Sequence, residues 1–409
     1  MSFEIIVVEP TALLKKPLKI TSCILMKIIN GHPDLAWWRT VGTMIGGVVG
    51  VGVFGLPYAF AQSGWWLGLT MLLVLGFLIT LLNFMYAEVV EQTSGRHRLV
   101  GYVKNYLGRW PANLMGAVFA VYACGAMLAY VLIGGNFLHT LLSPLLGGSL
   151  IVYQLIMAAC SACLTFGGIK KMAKLETLVV SGLIFLFVFM IILSLTSFEP
   201  RNIMSVHLSG WFAPYGVLFF ALSGLGVIPE MKDVLGAKRR HELPHTILFG
   251  QFFILALYAL FTLAVVGVTG PATTPSAFDG LTSMFGRTFA VAGSLLGSVV
   301  VLSIFSLVSV ELQGVLRFDY KINQKIAWLL TVSVPVILLL LGFSQFIELI
   351  SFLGAVLGGL MGIIVVVMYE KMRRAGLCPI HRCLNVPRVI VWLLIAVFVG
   401  GIIQTIFKF

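Results

Sequence analysis

Apolar runs long enough to cross a bilayer recur from about Trp37 to the C-terminus, with no polar domain between them. A helix needs roughly 20 mostly apolar residues to span the hydrocarbon core, where backbone groups must bond one another because water is absent. The runs are Thr40 to Gln62, Trp65 to Val90, Asn113 to Leu138, Ser149 to Gly167, Leu175 to Ser194, Trp211 to Pro229, Thr246 to Val268, Thr288 to Leu312, Ile326 to Phe343, Phe346 to Tyr369 and Val386 to Ile406. They predict an all-α membrane protein with 11 transmembrane helices. Composition agrees, since 59% of residues are hydrophobic and 10% charged, against about half and a quarter in a soluble domain.

Basic residues fix the expected orientation. If the spans alternate, the lysines and arginines fall in the N-terminal tail and the loops on its side, all but Arg201, Arg287 and Lys408 of the 27. Basic loops stay in the cytoplasm, so a cytoplasmic N-terminus in the cell membrane is expected. This asymmetry and contact with anionic lipid account for the net charge of +12, and nucleic acid is not expected as a partner. The first span is too long for a signal-peptide core and no cleavage site follows it, so it is read as a retained anchor. Cys23, Cys124, Cys160, Cys163, Cys378 and Cys383 are scattered, which argues against a disulfide framework. Cys378, His381 and Cys383 lie close together but make no paired CxxC array, so free thiols and no metal or cofactor are expected.

Two spans carry helix-breaking residues at matching positions. The first holds Gly46, Gly47, Gly50, Gly52, Gly55 and Pro57, and the sixth holds Ser223, Gly224, Gly226 and Pro229. Glycine costs a helix about 1 kcal/mol against alanine, and proline more. In a membrane helix it serves equally as a close-packing surface, but two such spans favour unwinding, the first near Val49 to Val53. The two are five spans apart, so each can open a five-helix unit, and an odd number of crossings turns the second unit upside down. The expected organisation is a tail over residues 1–39, a ten-helix core over 40–369 in halves 40–194 and 211–369, and an eleventh helix over 386–406. In such inverted repeats the broken helices meet at mid-membrane, where helix N-termini face an anion and freed carbonyls a cation. A zwitterionic amino acid suits that arrangement. The amides of Val51, Gly52, Val53 and Phe54 would hold its carboxylate, and the carbonyls of Gly46 to Val49 and Leu222 to Gly224 its ammonium group. Gly50, Phe220, Gly226, Tyr122 and Cys124 complete the expected site.

The run Gly50-Val51-Gly52-Val53-Phe54-Gly55-Leu56-Pro57-Tyr58-Ala59-Phe60, followed by Gln62-Ser63-Gly64, resembles the first helix of the amino acid/auxin permease family. That family includes aromatic amino acid permeases, and Phe318-Asp319-Tyr320 after span eight resembles a second of their elements. The resemblance implies the five-plus-five inverted-repeat fold of the amino acid-polyamine-organocation superfamily, with an extra eleventh helix. Relatives often place asparagine or threonine just before the glycine motif, where this chain has Gly46, Gly47 and Val48, which argues against sodium coupling.

Charges within spans are costly and need a reason. Glu230, after Pro229, is either a gating and proton-coupling group or the partner of a basic loop residue. Glu88 and Glu311 are read as structural first, and Glu348 as interfacial. Ser303, Ser306 and Ser309 share a helix face. They either complete a cation site with the Val48 and Val49 carbonyls or bond their own i−4 carbonyls. No nucleotide loop or catalytic constellation is present, so neither an enzyme nor an ATP-driven pump is expected. The favoured expectation is a proton-coupled importer of neutral amino acids, with aromatic ones among the candidates. A sodium-coupled or exchanging permease, and a non-transporting sensor or channel, stand as alternatives.

Overall fold

The computed structural model describes residues 34–95, 97–166, 172–236, 239–376 and 386–408. Cys23, Cys378, His381, Cys383, the lysines of the N-terminal tail, Arg96, Lys170, Lys171, Lys238 and Arg382 lie outside them. Among the described residues every regular element is helical. The first predicted span is two helices, α1 (Leu35–Val48) and α2 (Gly52–Ser63), inclined by 60°. Next come α3 (Trp65–Gln92), the short α4 (Leu99–Leu107), α5 (Arg109–Leu146), α6 (Leu150–Phe166) and α7 (Met172–Ser194). The sixth predicted span is again two pieces, α8 (Ala213–Leu222) and α9 (Ile228–Leu235). Then follow α10 (Leu243–Thr269), α11 (Phe278–Gly314), α12 (Gln324–Leu340) and α13 (Phe346–Phe352). A π-helical turn, Leu353–Gly358, leads into α14 (Gly359–Arg374), and α15 (Arg388–Lys408) is last.

Among the described residues, six helices are long and apolar enough to cross a membrane, or seven when the bent α1–α2 pair is one span. The other predicted spans fall on the shorter apolar helices Leu150–Phe166, Ile184–Ser197, Ala213–Leu222 and Gln324–Leu340. Among the described residues, helix length alone therefore does not yield eleven crossings. Apolar side chains lie outside as well as inside: α3 exposes Leu73, Val74 and Phe77, and α15 exposes Val389, Trp392 and Leu393. Exposed apolar surface on this scale requires lipid or protein against it. The core is organised on α5, buried from Ala123 to Gly135, which packs extensively against α11.

Charged contacts tie the helix ends on the face nearest the N-terminus. Arg98 pairs with Glu230 at 3.4 Å, joining the start of α4 to α9. Lys232 donates to the carbonyls of Val90 (2.5 Å) and Thr93 (3.0 Å), joining α9 to α3. Arg239 pairs with Asp34 and, at 2.6 Å, with Glu242. Asp34 also caps α1, accepting from the Trp37 amide at 3.0 Å. Hydrogen bonding from Arg239, and next from Trp37, holds its carboxyl below the usual carboxylate range. A lowered folded-state pKa contributes stability above the unfolded value, and that contribution is lost as pH falls through the folded one. Asp34→Ala is therefore expected to unfold at a lower temperature than the wild type at pH 7, with the difference closing below about pH 4. Thermal unfolding of both proteins across that range measures it, and a constant difference would exclude the carboxylate as the cause.

Candidate functional site

Both broken spans interrupt where their sequences lose the means to continue. In the first, Val49 is extended and its amide bonds Ile45 at 2.8 Å, after which the helix restarts at Gly52. In the sixth, Ser223 is extended, and Pro229, whose missing amide suits a first turn, lies in the opening turn of α9. A break strands carbonyls at the preceding helix end. The Tyr258 hydroxyl of α10 takes one of them, donating to Ala221 at 2.9 Å.

The breaks cross in contact. Gly47 lies directly against Val227, and a Cβ added to Gly224 would stand 2.8 Å from the Val48 side chain. A Cβ on Gly52 would stand 2.8 Å from the Phe220 ring and 3.1 Å from Ala221 Cα, and one on Gly50 would stand 3.3 Å from the Tyr130 hydroxyl. The glycines therefore serve breaking and close packing together. At the crossing is a cavity of about 80 Å³. Of the residues singled out in the sequence, Val48, Gly50, Gly52, Tyr122, Phe220, Ser223, Gly224 and Gly226 line it. Tyr122 lies beside Ser223, its ring 5.7 Å from that of Phe220.

Other expected residues are placed differently. Gly46, Val49, Val51, Val53 and Cys124 are buried without lining the cavity. The Val53 and Phe54 amides donate back to Gly50 (3.3 Å) and Val51 (3.1 Å). Ser303 and Ser306 bond their own i−4 carbonyls, Val299 at 3.1 Å and Leu302 at 2.8 Å, while Ser309 accepts from Gln313 at 3.1 Å. The face of α11 turned to the crossing is instead Ile304, near Gly50, with Val308 and Glu311 in the cavity wall. Glu230 is half-buried and paired with Arg98.

Glu311, read from the sequence as structural first, lines the cavity. Its carboxylate lies directly against Gly226 in the unwound stretch. The signal was available, since an acid in an apolar span is a functional candidate by default. Tyr130, Phe119 and Met361 also line the cavity. Among the described residues no group of three or more His, Cys, Asp or Glu side chains is placed to hold a metal.

Irregular backbone from two crossing spans, meeting at a small cavity, is the arrangement in which inverted-repeat membrane carriers hold their substrates. The chain belongs to the transmembrane amino acid transporter protein family, whose model matches residues 34–407. It is 20% identical over 356 residues to Glutamine transporter 2 of Aliivibrio fischeri, covering 83% of this chain and 90% of that one. It is 23% identical over 235 residues to Tyrosine-specific transport system 1 of Haemophilus influenzae, covering 56% and 58% respectively. The fold is that of MhsT, whose crystal structure in complex with L-phenylalanine matches at TM-score 0.66 and 16% identity, covering 90% of this chain and 97% of that one. Its curated relatives are transporters and not enzymes.

Proposed function

We propose that the protein is a proton-coupled secondary transporter of neutral amino acids, working by alternating access around the crossing of α1–α2 with α8–α9. The observation that carries this reading is the crossing itself, with peptide groups of both broken spans brought to one cavity. The substrate carboxylate sits at the start of α2, on the amides of Val51 and Gly52, because those of Val53 and Phe54 donate within the turn. Its ammonium group faces the carbonyls around Val48 and Leu222. Phe119, Tyr122, Phe220 and Met361 bound the side-chain end, supporting a neutral substrate of apolar or aromatic character.

The eleven crossings form a five-plus-five inverted repeat over 40–194 and 211–369, with residues 1–39 as a tail and 386–406 as an added helix. The N-terminus is cytoplasmic in the plasma membrane, supported by the basic cluster of Arg98, Lys232 and Arg239 on its face. Arg98 and Glu230 then close the inner gate. Proton coupling is favoured over sodium because the α11 serines have local partners.

Purified protein in liposomes, offered a labelled amino acid panel under separate proton and sodium gradients, tests the reading. Uptake of neutral amino acids driven by the proton gradient is expected. Folded protein that neither takes up nor exchanges any amino acid would leave a sensor or channel in its place.

A further inference from the structure

Around the inner end of the cavity, one cation faces two carboxylates. Arg98 is held by Glu230 at 3.4 Å, and among the described residues no basic side chain pairs with Glu311. The Glu311 carboxylate abuts Gly226, in the stretch where the sixth span has no helix. The ionisable groups that face it are Glu230 of α9, Arg98 before α4, Tyr86 of α3, and Tyr122 and Tyr130 of α5. None of the tyrosines supplies positive charge. The cluster with both acids ionised therefore carries one uncompensated negative charge at the wall of the cavity, where a carboxylate without a counter-ion is costly to keep ionised. A proton removes that charge, and two carboxylates sharing one counter-ion titrate as a unit.

We propose that Glu311 is the proton-carrying group of the transport cycle. Its carboxylate takes a proton from the cavity and becomes a neutral acid, so the unwound stretch at Gly226 closes on an uncharged neighbour while substrate is bound. When the inner end opens, Arg98 is freed to face Glu311. The acid then gives its proton to water at that face and returns to the carboxylate, and the substrate leaves. Glu230 positions Arg98 in the closed state. Contact with Gly226 makes the protonation state of α11 a condition on the substrate-binding backbone, with no direct bond to the substrate side chain required.

This inference rests on the proton-coupled reading, and liposomes holding wild type, E311Q or E311D separate the two. With an inward gradient of one pH unit, a one-proton cycle can accumulate substrate about tenfold, since one unit is worth about 1.4 kcal/mol. The wild type is expected to approach that ratio. E311Q is expected to equilibrate substrate without accumulating it and to keep counterflow exchange at a rate independent of pH. E311D is expected to accumulate, with its pH midpoint displaced. Accumulation by E311Q equal to the wild type overturns the role of Glu311 and leaves proton coupling standing, whereas a wild type driven by sodium alone overturns both. If E311Q does not insert, E311D decides: a displaced midpoint supports the assignment and an unmoved one overturns it. Loss of lysine uptake in E311Q, with neutral substrates still proton-driven, would make Glu311 a ligand for cationic side chains and overturn the proposal.

Discussion

Replacing Gly52 by leucine is expected to abolish amino acid binding while the protein still inserts and remains folded. Gly52 is the first residue of α2 and lines the cavity. A Cβ there would stand 2.8 Å from Phe220 Cδ1 and 3.1 Å from both Cα and Cβ of Ala221. The ring can turn, but the Ala221 backbone cannot, because its carbonyl is fixed by Tyr258 at 2.9 Å. Overpacking of this kind costs about 1–3 kcal/mol. That cost falls on folding stability, whereas binding is lost because the side chain takes the space at the start of α2 that the substrate would fill. Gly42→Leu is the control, since nothing lies within 4 Å of a Cβ at Gly42. Equilibrium binding of a labelled amino acid to both purified variants, each checked for a single elution peak, reads the effect. Undiminished binding by the Gly52 variant would remove α2 from the site.

The sequence announced the breaks because their cause is local: glycine and proline weaken a helix wherever it stands, and Gly50, Ser223 and Gly224 lie where the helices stop. Helix rotation was not legible. The three-residue spacing of Ser303, Ser306 and Ser309 fixes their relation to one another but not the direction in which their face points. That direction is set by the neighbours that Ile304, Val308 and Glu311 find at Gly50 and Gly226. Contacts across long separations were equally hidden. Nothing near Tyr258 marks it as the partner of a carbonyl 37 residues earlier, and nothing in Leu353–Gly358 marks a π-helical turn. Both exist because the broken span must be held from outside, having given up its own hydrogen bonds.

That external support gives the second large effect. Gly354→Val is expected to destabilise the whole protein, more than any single change in the cavity wall. A Cβ at Gly354 would fall on the carbonyl oxygen of Gly216 and 2.5 Å from the Phe220 amide nitrogen, and one at Gly216 would fall on the carbonyl and hydroxyl of Ser351. Here α8 and the π-helical turn meet backbone to backbone, which only small residues permit. No side chain can move aside, so the cost is about 3 kcal/mol or more, at the top of the range for overpacking. The same residues carry Phe220 into the cavity wall, so relief by displacing α8 would also open the substrate site. Gly400→Val supplies the comparison, because nothing lies within 4 Å of a Cβ there. Thermal unfolding in detergent should place the midpoint of the Gly354 variant well below that of the Gly400 variant. Its substrate affinity should fall with it, because one packing surface both holds the broken helix in place and shapes the cavity. Equal midpoints would mean that α8 can leave this contact at little cost, and the broken span would then need its support from elsewhere.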